Sequence, residues 1–349
     1  MARIALDAMG GDHAPLAPIA GAILALAELD PSHSVQLVGH ASVITTHLDG
    51  LLSGELAEHA GVRSRIAIVH APDVIEMSDK PTSAIRQKQK SSMVIGLKLQ
   101  SDGQSDGFVS AGNTGAQMVA STFVLKLHGD LKRAAIGTLF PTARKTVVVL
   151  DSGANVDCSA EELVDFARLG SVYAQDLLGR PAPAVALLSI GEESEKGCKA
   201  VIEAHQLLLR ESDLNFVGNV EGRDVLTGGS ERGDVDVVVC DGFVGNVLLK
   251  FYESMPKLMI GKLVEAGVEK ERLGKALAAF DYSEYGGAPL LGVRGVSIIS
   301  HGSSSSRAIK NALKVGVRAA ESKMSDNIGA RLAQQRERAA RRVTAPEVT

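Results

Sequence analysis

Short apolar runs rich in β-branched residues recur along the chain, at residues 3–7, 34–39, 65–70, 106–110, 134–139, 145–151, 184–190, 235–241 and 295–301. Most are continuous rather than alternating, as in Thr146-Val147-Val148-Val149-Leu150 and Val235-Asp236-Val237-Val238-Val239. A strand covered by helices on both faces has that pattern, so a largely parallel sheet is predicted. Helical spacing lies between the runs. Residues 304–324 carry Ile309, Leu313, Gly316, Val317, Ala320 and Met324 three or four apart, which makes one apolar stripe. Residues 161–178 and 198–210 read as helices too. Strand alternating with helix over most of the length predicts an α/β fold with a doubly wound sheet.

The strands are followed by polar, glycine-bearing loops. Asp7 leads into Ala-Met-Gly10-Gly11-Asp12-His13, and Val109 into Ser110-Ala-Gly112-Asn113-Thr114-Gly115. Leu150 leads into Asp151-Ser-Gly-Ala-Asn155, Cys240 into Asp241-Gly242-Phe-Val-Gly-Asn246, and Ser300 into His301-Gly302-Ser303. In an open parallel sheet the carboxyl ends of the strands share one edge, so these loops are expected to converge there as a ligand face.

Two stretches stand apart. Residues 245–266 form a helix candidate with more apolar surface than one stripe requires, and Pro256 is expected to kink or break it. A second short helix is predicted over about 270–280, so that 244–282 becomes a helical hairpin inserted into one α/β unit spanning 1–330. That hairpin reads either as core or dimer packing or as a platform for an acyl chain, a partner or a membrane surface. From Arg331 to residue 349 the chain reads as a solvated, fraying tail.

Composition narrows the function. With 45% hydrophobic residues the 349-residue chain can bury a large core. A formal charge of −4, no long basic run and 3% aromatics argue against nucleic acid as a partner. No secretory signal is visible at the start, and no apolar stretch is long enough to span a bilayer, so a cytoplasmic protein, peripheral at most to the membrane, is expected. Cys158, Cys198 and Cys240 are far apart and lack metal-ligand spacing, which suits reduced thiols and no metal.

No two glycines lie two positions apart, so the dinucleotide fingerprint is absent, and no Walker pattern, H-E-x-x-H or G-x-S-x-G appears. No cofactor is expected. What is left is anion chemistry at helix starts. The loop Ser110–Gly115 runs into a helical segment near Ala116, where unpaired N–H groups and the positive end of the helix dipole suit a phosphate. The loop from His301 opens the next amphipathic helix in the same way, although serine and asparagine at these positions are equally suited to plain capping. Nearby cations are Lys145, before its strand, and Arg86, Lys88 and Lys90 on a segment suited to an acidic partner.

These residues together resemble a known family. The opening Leu6-Asp-Ala-Met-Gly-Gly-Asp-His-Ala-Pro15, Ser110-Ala-Gly-Asn-Thr-Gly-Ala116, Val149-Leu-Asp-Ser-Gly-Ala-Asn-Val-Asp-Cys158, Ser189-Ile-Gly-Glu-Glu193, Cys240-Asp-Gly-Phe-Val-Gly-Asn246 and His301-Gly-Ser-Ser304 are similar, in order, to the PlsX family. The resemblance covers residue 1 to about 330. It implies an acyltransferase that makes acyl phosphate from long-chain acyl-(acyl carrier protein) and inorganic phosphate in bacterial phospholipid synthesis. It also implies a homodimer, an isocitrate/isopropylmalate dehydrogenase-like sheet related to that of phosphotransacetylases, and a membrane glycerol-3-phosphate acyltransferase as the next partner. Relatives carry a longer, more basic and more aromatic insertion before Tyr285-Gly-Gly-Ala288, whereas this one is shorter and of mixed charge.

Such chemistry requires no nucleophilic serine or cysteine. Phosphate is itself an anionic oxygen nucleophile, and a thiolate leaves readily from a thioester. The protein has to hold both reactants in line and stabilise a tetrahedral oxyanion. On this reading Ser110, Gly112, Asn113, Thr114, Gly115, Gly302 and Ser303 cradle phosphate. His301 donates to the oxyanion or the leaving thiol, and Lys145 or Arg86 balances charge. Asp7, Gly10, Gly11, Asp12, His13, Asp151, Asn155, Asp241, Gly242 and Asn246 shape the loops, and Arg86, Lys88 and Lys90 dock the carrier protein. The rival readings are a phosphotransacetylase acting on acyl-CoA and a non-enzymatic scaffold.

Overall fold

The apolar runs pair into two large sheets in a computed structural model, which describes residues 1–269, 273 and 285–344. The first sheet has seven strands in the spatial order Ile66–His70, Ser34–Gly39, Arg3–Asp7, Gly107–Ser110, Ser297–Ile299, Ala288–Leu291 and Ala135–Ile136. Its first five strands are parallel; Ala288–Leu291 runs antiparallel to both of its neighbours. The second sheet has five, in the order Thr138–Phe140, Val147–Leu150, Val237–Val239, Ala184–Leu188 and Asn215–Val220. All but the first of these are parallel.

Two sheets therefore replace the one doubly wound sheet expected from sequence. The predicted strand over 134–139 is where they join. It is two strands, one in each sheet, separated by Gly137, whose N–H bonds to the Pro289 carbonyl at 3.1 Å. Only Gly137-Thr138 interrupts the apolar run at the change of sheet, too short a break for the pattern to reveal it. The strands Ala288–Leu291 and Asn215–Val220 were not expected. The first contains a proline and the second alternates asparagine and glycine with valine, so neither is a clean apolar run.

Burial explains the continuous runs that were read correctly. Val147, Val148, Val149 and Leu150 are all 0% exposed because helices cover both faces of their sheet. The helix Ala160–Leu178 starts with a reciprocal cap between Ser159 and Glu162 and stops at Gly179, where φ is +64°. Both ends are written in the local sequence. The helix Gly242–Glu265 passes through Pro256 without ending. Proline removes one backbone bond there, but turns on either side keep the ladder cooperative. On one face Val244, Leu248, Leu249 and Tyr252 pack on the second sheet's core. On another, Phe243, Val247, Phe251 and Leu258 are all more than half exposed. The second helix predicted over 270–280 lies outside the described residues. Residues 331–344 of the segment expected to fray continue the helix Met324–Thr344, and 345–349 lie outside the described residues. No helix among the described residues is long and apolar enough to cross a membrane.

Candidate active site

The carboxyl edges of the two sheets meet over a cavity of about 380 Å³. The first sheet contributes Thr114, Ser300 and His301 to its lining, and the second contributes Ser152, Gly153 and Asn246. The remaining wall has an apolar stretch along Leu139, Phe140, Pro141, Leu249 and Tyr252, with Tyr285 and the Lys250–Glu253 ion pair (2.8 Å) also on it. The cavity is thus polar where the strand-end loops converge and greasy where it runs along the edge strand Thr138–Phe140.

Each edge is organised around one buried aspartate. Asp7 Oδ1 accepts from the Met9 N–H at 3.1 Å, and Oδ2 accepts from the Ser110 hydroxyl at 2.8 Å. Ser110 in turn accepts from the Gly112 N–H at 2.9 Å. A Cβ on Gly10 would lie 2.6 Å from Asp7 Oδ2 and 2.8 Å from the Gly112 nitrogen, so only glycine lets this turn close. Asp151 Oδ1 accepts from the Ile136 and Ala154 N–H groups at 2.9 and 3.1 Å. Its Oδ2 accepts from the Asn155 N–H at 2.6 Å and from the Asn155 side chain at 2.9 Å. A Cβ on Gly245 would come within 1.9 Å of the Asp151 carbonyl oxygen, which is how the helix Gly242–Glu265 seats on this loop. Burial pushes both carboxyls above the usual aspartate range, against the pull of the donors around them.

The expected phosphate cradle contracts. Ser110 and Gly112 are spent on the Asp7 network. Asn113 is spent as well: its Oδ1 caps the helix Thr114–Val124 through the Ala116 N–H at 3.0 Å. Its Nδ2 donates to the carbonyls of Met77 at 3.0 Å and Asp79 at 3.1 Å, pinning the segment 76–79 beside the loop. Both polar groups of the Asn113 side chain are thus engaged within the protein. The N–H groups of Thr114 and Gly115, at the first turn, donate to no protein group among the described residues, and Thr114 faces the cavity. Gly302 gives its carbonyl to the Asp12 N–H at 2.8 Å. The Ser303 N–H donates to His301 Nδ1 at 3.2 Å, with the Ser303 hydroxyl 2.8 Å from the same atom. A ring nitrogen that accepts from a backbone N–H carries no proton, so the neutral ring of His301 is protonated on Nε2.

Other expectations are placed differently. Lys145 precedes its strand on the amino edge of the second sheet. It pairs there with Asp236 at 2.7 Å and Asp234 at 3.8 Å, away from the loops, so it is a structural cation and not a catalytic one. Lys88 is held by Asp79 at 2.6 Å and by the Val74 carbonyl at 2.8 Å, leaving Arg86 and Lys90 as the exposed cations of that trio. Asn155 serves Asp151 and the Ala134 carbonyl, Asp241 caps its helix through the Val244 N–H at 2.9 Å, and Gly242 donates to the Asn155 carbonyl at 2.7 Å. Gly11 packs its turn against Ala111 and the Gly302 carbonyl. Asp12 and His13 are exposed and do not line the cavity. Sequence reasoning missed Ser152, Ser300 and Thr138. The Ser300 and Thr138 hydroxyls are buried and have no partner among the described residues. Ser152 and Ser300 sit inside or beside quoted motifs, but nothing in the sequence signals Thr138.

Among the described residues the geometry supplies helix-start N–H groups, an imidazole and unpartnered Ser300 and Thr138 hydroxyls at one end of a mostly apolar trough, and no activated thiol. Burial, reinforced by Asp151 and Glu162, pushes the Cys158 thiol up to about 12, and burial raises Cys240 as well. Neither is a ready thiolate. The fold is shared with phosphotransacetylases. The phosphotransacetylase from Streptococcus pyogenes superposes with a TM-score of 0.61 at 16% identity, over 91% of this chain and 94% of its own.

A family model described as "Fatty acid synthesis protein" matches residues 2–327. The phosphate acyltransferase of Desulforamulus reducens is 50% identical over 325 residues, covering 90% of this chain and 92% of its own. That of Heliobacterium modesticaldum is 46% identical over 325 residues with the same coverage. The chain is an acyltransferase, and it belongs to the phosphate acyltransferase (PlsX) family.

Proposed function

We propose that the protein transfers a long-chain acyl group from an acyl carrier protein thioester to inorganic phosphate, releasing the carrier thiol and acyl phosphate for phospholipid synthesis. One observation carries this reading: a single cavity joins the polar strand-end loops of both sheets to a mostly apolar trough. Phosphate sits on the Thr114 and Gly115 N–H groups at the positive end of their helix. One of its oxygens attacks the thioester carbon. The C–O bond forms, the C–S bond breaks through a tetrahedral oxyanion, and the sulfur leaves as a thiolate that takes up the proton released by the attacking hydrogen phosphate. His301 Nε2–H lines the cavity as the donor to that oxyanion or sulfur. The exposed Arg86 and Lys90, on and just beyond the helix Pro81–Gln87 next to Gly115, suit the acidic surface of a carrier protein. The exposed Phe243, Val247, Phe251 and Leu258 stripe suits a second copy of the chain or a membrane surface in a cytoplasmic enzyme.

The test is mass detection of acyl phosphate after mixing the protein with palmitoyl-carrier protein and phosphate, beside palmitoyl-CoA as the alternative donor. Phosphate-dependent product from the carrier protein in preference to CoA is expected. Preference for CoA would make the protein a phosphotransacetylase, and no product from either donor would overturn the reading.

A further inference from the structure

Resting on that reading, we propose that the cavity is the acyl-chain site and that Leu249, with the Phe140–Tyr252 pair beyond it, sets the length of chain accepted. The trough starts at the reacting end, beside His301 and Ser300, and passes Thr138 and Leu139. Its distant wall is the Phe140 ring, met edge-on by Tyr252 with ring centroids 4.7 Å apart. The Tyr252 hydroxyl donates to the Pro141 carbonyl at 2.5 Å, which fastens the helix Gly242–Glu265 to the edge strand. Phe140 is 1% exposed and Tyr252 8%, so this wall is built into the second sheet's core. Leu249, nearly one turn before Tyr252 on the same helix, projects into the trough and is only partly covered by that core.

The occupant follows from the cavity's ends. An extended chain whose thioester lies among the strand-end loops has its tail directed along the apolar wall, because the polar loops offer it no burial. Each methylene buried there is worth about fourfold in affinity, so a wall that displaces two of them discriminates by about fifteenfold.

The experiment measures kcat/KM for acyl phosphate formation with carrier proteins bearing C8 to C18 chains. Leu249→Trp narrows the trough and is expected to lower the C16-to-C8 ratio by about tenfold or more, while Leu249→Ala raises the C18-to-C16 ratio. A second measurement uses the unaltered protein. A palmitoyl-carrier protein with a diazirine at the terminal carbon, photolysed without phosphate, should label peptides containing Phe140 or residues 249–252. Unchanged ratios in both variants, or labelling confined to other peptides, overturns the proposal. Failure of the underlying reading looks different: no chain length yields acyl phosphate with the unaltered protein.

Discussion

The two sheet edges that form the site use the same device, an aspartate buried at the end of a parallel strand, but spend it differently. Asp7 shares its oxygens between the backbone N–H groups of Met9 and Gly10 and the rotatable hydroxyls of Ser92 and Ser110, and Ser110 passes the bond on to Gly112. Asp151 is ringed by backbone and amide N–H groups of fixed direction. The first edge is therefore a relay that can adjust, while the second is a clamp. The proposed donors follow the same division: the helix-start N–H groups of Thr114 and Gly115 and the imidazole of His301 all belong to the first edge. The second supplies Ser152, Asn246 and the apolar wall. Holding a small anion calls for donors that can tighten on it, whereas a chain calls for a rigid trough.

The largest effect that would sharpen this contrast is on stability. Asp151→Asn puts an NH2 group against N–H donors that cannot turn away, leaving buried donors unsatisfied at a cost of about 3–5 kcal/mol. Asp7→Asn should cost less, about 1–2 kcal/mol, because Ser110 can rotate to accept from the new amide. Denaturant midpoints of the two variants measure the difference, and equal losses would erase the distinction between clamp and relay. Next comes activity. His301→Ala should lower kcat by about 10²-fold, as expected for the loss of one oxyanion donor. Asn246→Ala, across the cavity, should lower it by only about five- to tenfold. The reverse order would place the reacting atoms nearer the second edge.

Legibility in the sequence divides along the same line. The parallel strands were readable because burial on both faces forces unbroken apolar runs, and the glycine loops were readable because such turns exclude side chains. Which polar atoms face the cavity was not readable. Asn113 and Thr114 are neighbours whose side chains can both donate and accept. Only the position of the segment 76–79 shows that Asn113 is consumed and Thr114 is available. Lys145 misled for a related reason, since a cation one residue from a strand belongs to the wrong edge when it precedes the strand instead of following it. Thr138 could not be found at all, because Gly137-Thr138 interrupts the apolar run too briefly to signal a change of sheet.

A smaller effect tests which edge receives the carrier protein. Arg86→Glu combined with Lys90→Glu, beside the first edge, should raise KM for the acyl-carrier protein by about three- to tenfold at low salt and less at high salt. Lys199→Glu, 88% exposed on the second sheet's helix Lys199–Leu208, should leave KM unchanged. Equal responses would mean that net charge, not a docking surface, is being sensed.

The smallest effect leaves function untouched and reads the clamp directly. Two of the three thiols, Cys158 and Cys240, lie against the second edge, while Cys198 is exposed. Burial and then the nearby Asp151 and Glu162 charges hold Cys158 at about 12. At pH 8 only about one Cys158 in 10⁴ is thiolate, the form that alkylates. Iodoacetamide at pH 8 should therefore label the native protein at Cys198 alone, and all three thiols after denaturation. Because the raised value lies above the whole accessible range, the Cys158 rate should climb about tenfold per pH unit from 7 to 9 with no plateau. A plateau below pH 9 would show that Asp151 and its buried loop do not press on this thiol, and that the second edge is looser than the first.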